Sequence, residues 1–401
     1  MKLLVKNGRV VDPANELDAV RDILIEDGVI HSVAKKILDE ADETINASGK
    51  IVTPGWIDMH VHFREPGFEH KEDIASGSRA AAAGGVTTVV AMPNLNPVPD
   101  SPQALKHVLD IATRKSVVNY FQTASITYGE NGTEVTDFSS LSDAGAIAFT
   151  DDGKPVADGN VMLAAMRKAR ENGVLLSLHE EEEAALVKRD LQFLEQLPMR
   201  LHFQHLSLHG SIEAVRQAKA AGKLVTCETA PHYFSLTAED VEKKGANAKM
   251  NPPLRTKDDR EAVKRALKDG TIDAIITDHA PHSPEEKAKP LSEAPCGVIG
   301  LETMVGVCVN ELIHGGVLEW SELVAKVTCN PAKILGLHAG NLTPGMPADL
   351  TVIDHNAEWT VDSSEFESKA RNCPWDGEKL KGKPFATIVS GEIVMLNGKV
   401  I

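Results

Sequence analysis

The sequence predicts an α/β protein: a (β/α)8 TIM barrel carrying a small composite β-sandwich domain. Three observations predict it. Across the middle of the 401 residues, short apolar runs alternate with helical patterns in repeats of roughly 25–45 residues, as in a parallel sheet wrapped by helices. Both ends of the chain are instead rich in short strands and turns. Residues with metal-ligand chemistry stand just beyond separate apolar strands, at the rim where such barrels keep their reactive groups. The expected division is 1–53 and 341–401 as the two parts of a small β domain, with the barrel over 54–340.

In chain order, residues 3–6, 8–11, 22–26 and 29–33 read as strands, with Asn7-Gly8 and Asp27-Gly28 as hairpin turns. The stretch from Trp56 to Gly67, which follows the apolar run 51–55, reads as the first barrel strand ending in a turn. A helix over 74–83 stops at Gly84-Gly85 and is followed by a buried strand over 86–92. The cycle repeats with helices over 102–114, 138–144, 160–171, 180–197, 211–221 and 258–268. Strands fall over 117–121, 146–150, 174–178, 201–204, 224–227 and 274–277. The acidic run Glu180-Glu181-Glu182-Glu183 fits the first turn of its helix, where carboxylates favour the N-terminus. Residues 348–354 and 385–389 read as strands of the closing β segment, with turns at Ser390-Gly391 and Asn397-Gly398.

Composition narrows the function. A net charge of −16 and the lack of any basic run argue against nucleic acid as a partner. No apolar run reaches membrane-spanning length, and the opening residues read as a strand and turn rather than a signal peptide. Five scattered cysteines without a Cys-x-x-Cys pair suit a reduced, cytoplasmic protein better than a disulfide framework.

His60, His62 and Arg64 alternate along one strand and are expected on one face. Two neutral imidazoles can hold a divalent metal, and a guanidinium beside them can grip a carboxylate with two hydrogen bonds. A bare His-x-His pair is common, so the weight comes from further ligand-type residues downstream. Asp151-Asp152, His179, His205 and Asp278 each follow an apolar strand of their own. Any one of them could be a turn residue or a cap. Their recurrence predicts a metal site, and nitrogen and carboxylate donors without cysteine suit zinc, with manganese or cobalt able to substitute.

These residues resemble the amidohydrolase superfamily and, more closely, the type I dihydroorotases, over nearly the whole chain. The resemblance rests on the stretch from Asp58 to Gly67, Ala91-Met92-Pro93-Asn94, the stretch from Ala148 to Gly153, Asn251-Pro252-Pro253-Leu254-Arg255 and Thr277-Asp278-His279-Ala280-Pro281-His282. It implies one or two zinc ions per subunit. His60 and His62 would be the first ligands, Asp152 the acid shared between two metal positions, and His179 and His205 the ligands of the second. Asp278 would touch the metal and move the proton. The reaction implied is reversible cyclisation of N-carbamoyl-L-aspartate to L-dihydroorotate, in pyrimidine biosynthesis. The resemblance points to Arg64, Asn94 and His282 for the substrate carboxylate, and to Asn251 and the backbone near Gly297 for the ring. His202 and His209 are expected to be structural or surface residues, and His232 not a ligand. A homodimer or a complex with aspartate transcarbamoylase is also implied.

Two departures stand out. His179 and His205 are 26 residues apart, where the family usually has a much longer connection. Cys296 stands where the family often has proline beside Gly297. Two other readings compete. A hydantoinase or allantoinase should carry lysine at position 152. A non-catalytic subunit scaffolding aspartate transcarbamoylase should lack the ligands that this chain keeps.

Overall fold

The computed structural model describes residues 1–401. The chain opens with five strands: β1 (Lys2–Asp12), β2 (Leu17–Glu26), β3 (Val29–Ala34), β4 (Glu43–Asn46) and β5 (Ile51–Pro54). Eight parallel strands follow as the barrel: β6 (Trp56–Val61), β7 (Val86–Ala91), β8 (Asn119–Ala124), β9 (Ala146–Phe149), β10 (Leu176–Leu178), β11 (Leu201–Phe203), β12 (Val225–Thr229) and β13 (Ala274–Ile275). Neighbours in sequence are neighbours in the sheet. The barrel closes where His62 N–H donates to the His279 carbonyl at 2.9 Å, beside a parallel bridge from Val61 to His279. Helices α1 (Ile74–Ala83), α2 (Pro102–Lys115), α3 (Phe138–Asp143), α4 (Gly159–Asn172), α5 (Glu183–Gln196) and α6 (His209–Ala220) fill the first six crossovers in turn. β6 and β7 are buried along their whole length, so apolar residues stand on both faces, with Asp58 and His60 in β6 and Thr87 and Thr88 in β7 as buried polar exceptions.

The chain ends with β14 (Leu350–Thr360), β15 (Lys379–Val389), β16 (Glu392–Leu396) and β17 (Lys399–Val400). These join the opening strands in one nine-stranded sheet, β17-β16-β15-β14-β5-β1-β2-β3, with β4 beside β1. The seam is antiparallel β5 against β14, Ile51 to Pro54 facing Ile353 to Leu350. The sheet buries its own apolar core, including Leu3, Val10, Ile23, Val52, Val352 and Ile388. β5 runs straight into β6 through Gly55, so the small sheet is anchored directly beneath the first barrel strand.

Three local expectations need correction. Asn7-Gly8 is not a hairpin turn: β1 runs through it with a bulge, and Asn7 takes φ +63°. Gly8 is required there by close packing, since a Cβ would lie 2.4 Å from the Val52 side chain. The strand carrying His60 stops at Val61, and Arg64 has φ +61°, so strand alternation does not aim Arg64. The acidic run does not simply cap a helix: α5 begins at Glu183, while Glu180 and Glu183 are buried. Glu183 accepts from Ser207 N–H at 3.0 Å and Leu208 N–H at 2.9 Å, tying α5 to the turn after β11.

Candidate active site

The rim is built from the strand ends. Asp58, buried in β6, accepts from His60 N–H at 3.1 Å and Thr277 N–H at 3.2 Å. It therefore pins the His60 strand to the segment that carries Asp278. Burial pushes the Asp58 carboxyl up to about 7 despite those bonds.

The expected ligands converge. His60 Nε2 lies 3.2 Å from Asp152 Oδ1 and 3.6 Å from Asp278 Oδ1. His62 Nε2 lies 3.1 Å from Asp278 Oδ1 and 3.4 Å from Asp152 Oδ2. His179 Nδ1 is 3.5 Å and His205 Nε2 3.8 Å from Asp152 Oδ1, and those two nitrogens are 2.9 Å apart. Six donors from residues 60 to 278 thus meet in one buried spot. Two groups, His60–Asp152–His205 and His60–His62–Asp278, each bring their donor atoms within 4.8 Å of one another.

The donors fit a cation better than they fit each other. His60 Nε2, Asp152 Oδ1, His179 Nε2 and His205 Nδ1 are buried without a hydrogen-bond partner, although His60 and Asp152 face one another. Leaving such a group unpaired costs about 1–3 kcal/mol each, a cost that a shared positive ion removes. The electrostatics agree. Burial pulls the Asp152 carboxyl upward, yet His60, His179 and His205 hold it well below the usual range. Asp278 is likewise held low against its burial, by His62 and His60. Both carboxylates are therefore ionised acceptors.

Around the donors lies a cavity of about 240 Å³, and Arg64, Asn94, Asn251, His282 and Gly297 all line it, as does Cys296. Their engagements differ. Arg64 spends only Nε, donating to the Pro281 carbonyl at 3.3 Å. Asn94 is committed to the ligands: its Oδ1 sits 2.7 Å from His62 Nδ1, and its Nδ2 donates to Asp152 Oδ2 at 2.9 Å. Asn251 has only a long contact, 3.5 Å to Glu181 Oε1. His282 Nε2 lies 2.8 Å from the Cys296 carbonyl, and burial together with Arg64 and Lys71 lowers its pKa to about 3. Its other nitrogen, Nδ1, lies 3.3 Å from Glu286 Oε2, so acceptors face both ring nitrogens.

Sequence reasoning missed Glu228. Its Oε1 lies 3.0 Å from His60 Nδ1, and its Oε2 lies 3.1 Å from His202 Nε2. His202 is fully buried, not at the surface, and its other nitrogen reaches Thr226 Oγ1 at 2.8 Å. Burial would raise the Glu228 carboxyl, but His202 and His60 bring it down to about 2. A carboxylate fixing the far nitrogen of a metal-type histidine sets its tautomer and ring angle. The available signal was an acid inside the otherwise uncharged strand Val225–Thr229. His209 opens helix α6 at the surface, and His232 is buried with neither ring nitrogen bonded.

The barrel and its ringed donors define a metallo-dependent hydrolase, and the chain belongs to the amidohydrolase family, whose model matches residues 51–394. Its fold is similar to that of L-hydantoinase (dihydropyrimidinase) from Arthrobacter aurescens, with a TM-score of 0.91 and 27% identity over 100% of this chain and 97% of that one. The sequence is more specific. It is 46% identical to the dihydroorotase of Geobacter metallireducens over 422 aligned residues, covering 98% of this chain and 99% of the relative. It is 42% identical to that of Clostridioides difficile over 98% of this chain and 99% of the relative. Within the amidohydrolases the chain therefore falls among the dihydroorotases. Both alignments run over 422 positions against 401 residues here, so these relatives carry residues that this chain lacks.

Proposed function

We propose that this dihydroorotase interconverts N-carbamoyl-L-aspartate and L-dihydroorotate on zinc, one or two ions per subunit, held by His60, His62, Asp152, His179, His205 and Asp278. The observation that carries the reading is the convergence of these six side chains, with unpaired buried donor atoms, on the cavity that Arg64 lines. The bound metal would supply Lewis acidity, polarising the ring carbonyl and making water nucleophilic near neutral pH. Asp278, ionised and 3.1 Å from His62 Nε2, takes the proton from the attacking water. It returns that proton to the ring nitrogen as the carbon–nitrogen bond breaks. Ring closure is the reverse: Asp278 receives the proton from the attacking carbamoyl nitrogen and returns it to the departing hydroxyl. Arg64, with its terminal nitrogens free, pairs with the substrate carboxylate. His282 and the Gly297 backbone border the carboxylate and ring. Asn94 acts chiefly by orienting His62 and Asp152.

Two further expectations belong to this reading. Five unpaired cysteines suit a reducing, cytoplasmic setting. A homodimer or an assembly with aspartate transcarbamoylase is the expected partnership.

Loss of dihydroorotate absorbance by the purified chain, with zinc counted by elemental analysis, tests the assignment. Asp278→Asn should lower kcat about 10²–10⁴-fold. Full turnover in that variant refutes the proton assignment. Activity on hydantoin but not on dihydroorotate would instead place the chain with its structural neighbours; Asp152, where a hydantoinase should have lysine, argues for the first outcome.

A further inference from the structure

The loop bordering the cavity beyond Asp278 is not held by the barrel alone. Residues 361–378, between β14 and β15, leave the small sheet and bond to that loop. Glu302 anchors this strap by accepting from Glu367 N–H at 3.1 Å and Ser368 N–H at 3.2 Å. Lys369 N–H adds a bond to the buried Glu72 carboxylate at 3.2 Å. At the inner end stands Asn372, only 2% exposed.

Every bond of Asn372 goes to the substrate loop. Its Oδ1 accepts from His282 N–H at 3.3 Å. Its Nδ2 donates to the carbonyls of Ala280 at 3.1 Å and Gly297 at 3.0 Å. Its backbone carbonyl accepts from Ile299 N–H at 3.1 Å. Only the NH2 end can face two carbonyls, so the amide orientation is fixed. The joined segments have no slack. Gly297 has φ +132°, and a Cβ there would lie 2.8 Å from the Ala280 oxygen and 3.0 Å from the His282 ring. Asn372 is one tie between these segments, beside the Ala280 N–H bond to the Val298 carbonyl at 2.8 Å and the His282 contact with the Cys296 carbonyl. Releasing it frees His282 N–H and the Ala280 and Gly297 carbonyls, and both His282 and Gly297 line the cavity.

We propose that Asn372 is a positioning residue for substrate binding: from outside the barrel it sets the spacing between His282 and the Gly297 backbone. This rests on the reading of those two groups as the substrate end of the site. Asn372 has no hydrogen bond to any of the six donors, so its effect falls on substrate affinity rather than on metal retention or the chemical step.

The decisive variant is Asn372→Asp. It keeps the shape and the acceptor toward His282 N–H but sets a charged oxygen against two carbonyls. Steady-state kinetics on dihydroorotate should show KM raised ~10–100-fold, with kcat within about threefold of wild type. Zinc per chain should be unchanged. A KM within about twofold of wild type, or a fall in kcat that tracks lost zinc, overturns the inference. If the variant is not recovered folded, hydrogen exchange on the wild-type holoenzyme decides. Saturating dihydroorotate should slow exchange at the amides of His282 and Ile299 and in the 366–373 strap, and no ligand effect in the strap overturns the inference. A wild-type chain inert toward dihydroorotate refutes the functional reading instead.

Discussion

At the scale of single residues, the site is a set of donors whose directions are fixed by partners outside it. Glu228 behind His60 and Asn94 behind His62 each hold the nitrogen that points away from Asp152. Glu228→Gln keeps the shape but removes the charge that orients His60 and pairs with His202. Zinc affinity, measured by competition with a chelator, should fall about 10–100-fold while the fold persists. Equal affinity would reduce Glu228 to packing. The candidate ligands were legible in the sequence as ligand-type residues at the ends of five apolar runs, His60 and His62 sharing the first. Glu228 was not, because one acid in a short strand looks like any other until His60 and His202 are seen on either side of it.

At the scale of elements, helix α1 shows how packing reaches the rim. Gly77 faces Phe63, the residue between His62 and Arg64, and a Cβ there would come within 2.5 Å of the ring. Gly77→Ala should gain about 1 kcal/mol in helix propensity and lose about 1–3 kcal/mol to overpacking. The net expectation is a lower urea midpoint together with weaker turnover, as Phe63 pushes on its neighbours. The short turn Tyr128–Glu130 carries a different tension. Glu130 is 5% exposed with Oε1 unpaired, and burial, followed by the Asp151 and Asp152 charges, raises it to about 8 from 4.5. Between those values the folded chain holds a proton that the unfolded chain has lost, so its stability falls as pH rises through that window. Glu130→Gln should flatten that fall, read as urea stability at about pH 5 and about pH 8.5. Barrel elements were readable because helical and strand periods differ; helix 74–83 matches to the residue. The Asn7 bulge was not readable, because the same Asn-Gly pair serves a hairpin or a bulge, and only the pairing of β1 with β2 on both sides of it tells them apart.

At the scale of the whole molecule, the fold class followed from repeat length and from the matching character of the two ends. We propose that residues 1–53 and 341–401 form one unit with the barrel 54–340 set into it. What periodicity cannot convey is how far the closing segment reaches: the strap bearing Asn372 is irregular backbone, and its role exists only in contact with the loop it holds. The short link from His179 to His205 is spanned by the single helix α5, which keeps both histidines on the rim.

The seam between β5 and β14 sets an order of events during synthesis. Pro54 leaves the ribosome nearly three hundred residues before Leu350, its partner across the seam, exists. Throughout that interval the nascent sheet presents an open, apolar edge that neighbouring polypeptides can zip onto. A message truncated before codon 350 should therefore yield aggregates rather than a working barrel, and supplying residues 341–401 as a separate peptide should restore soluble product.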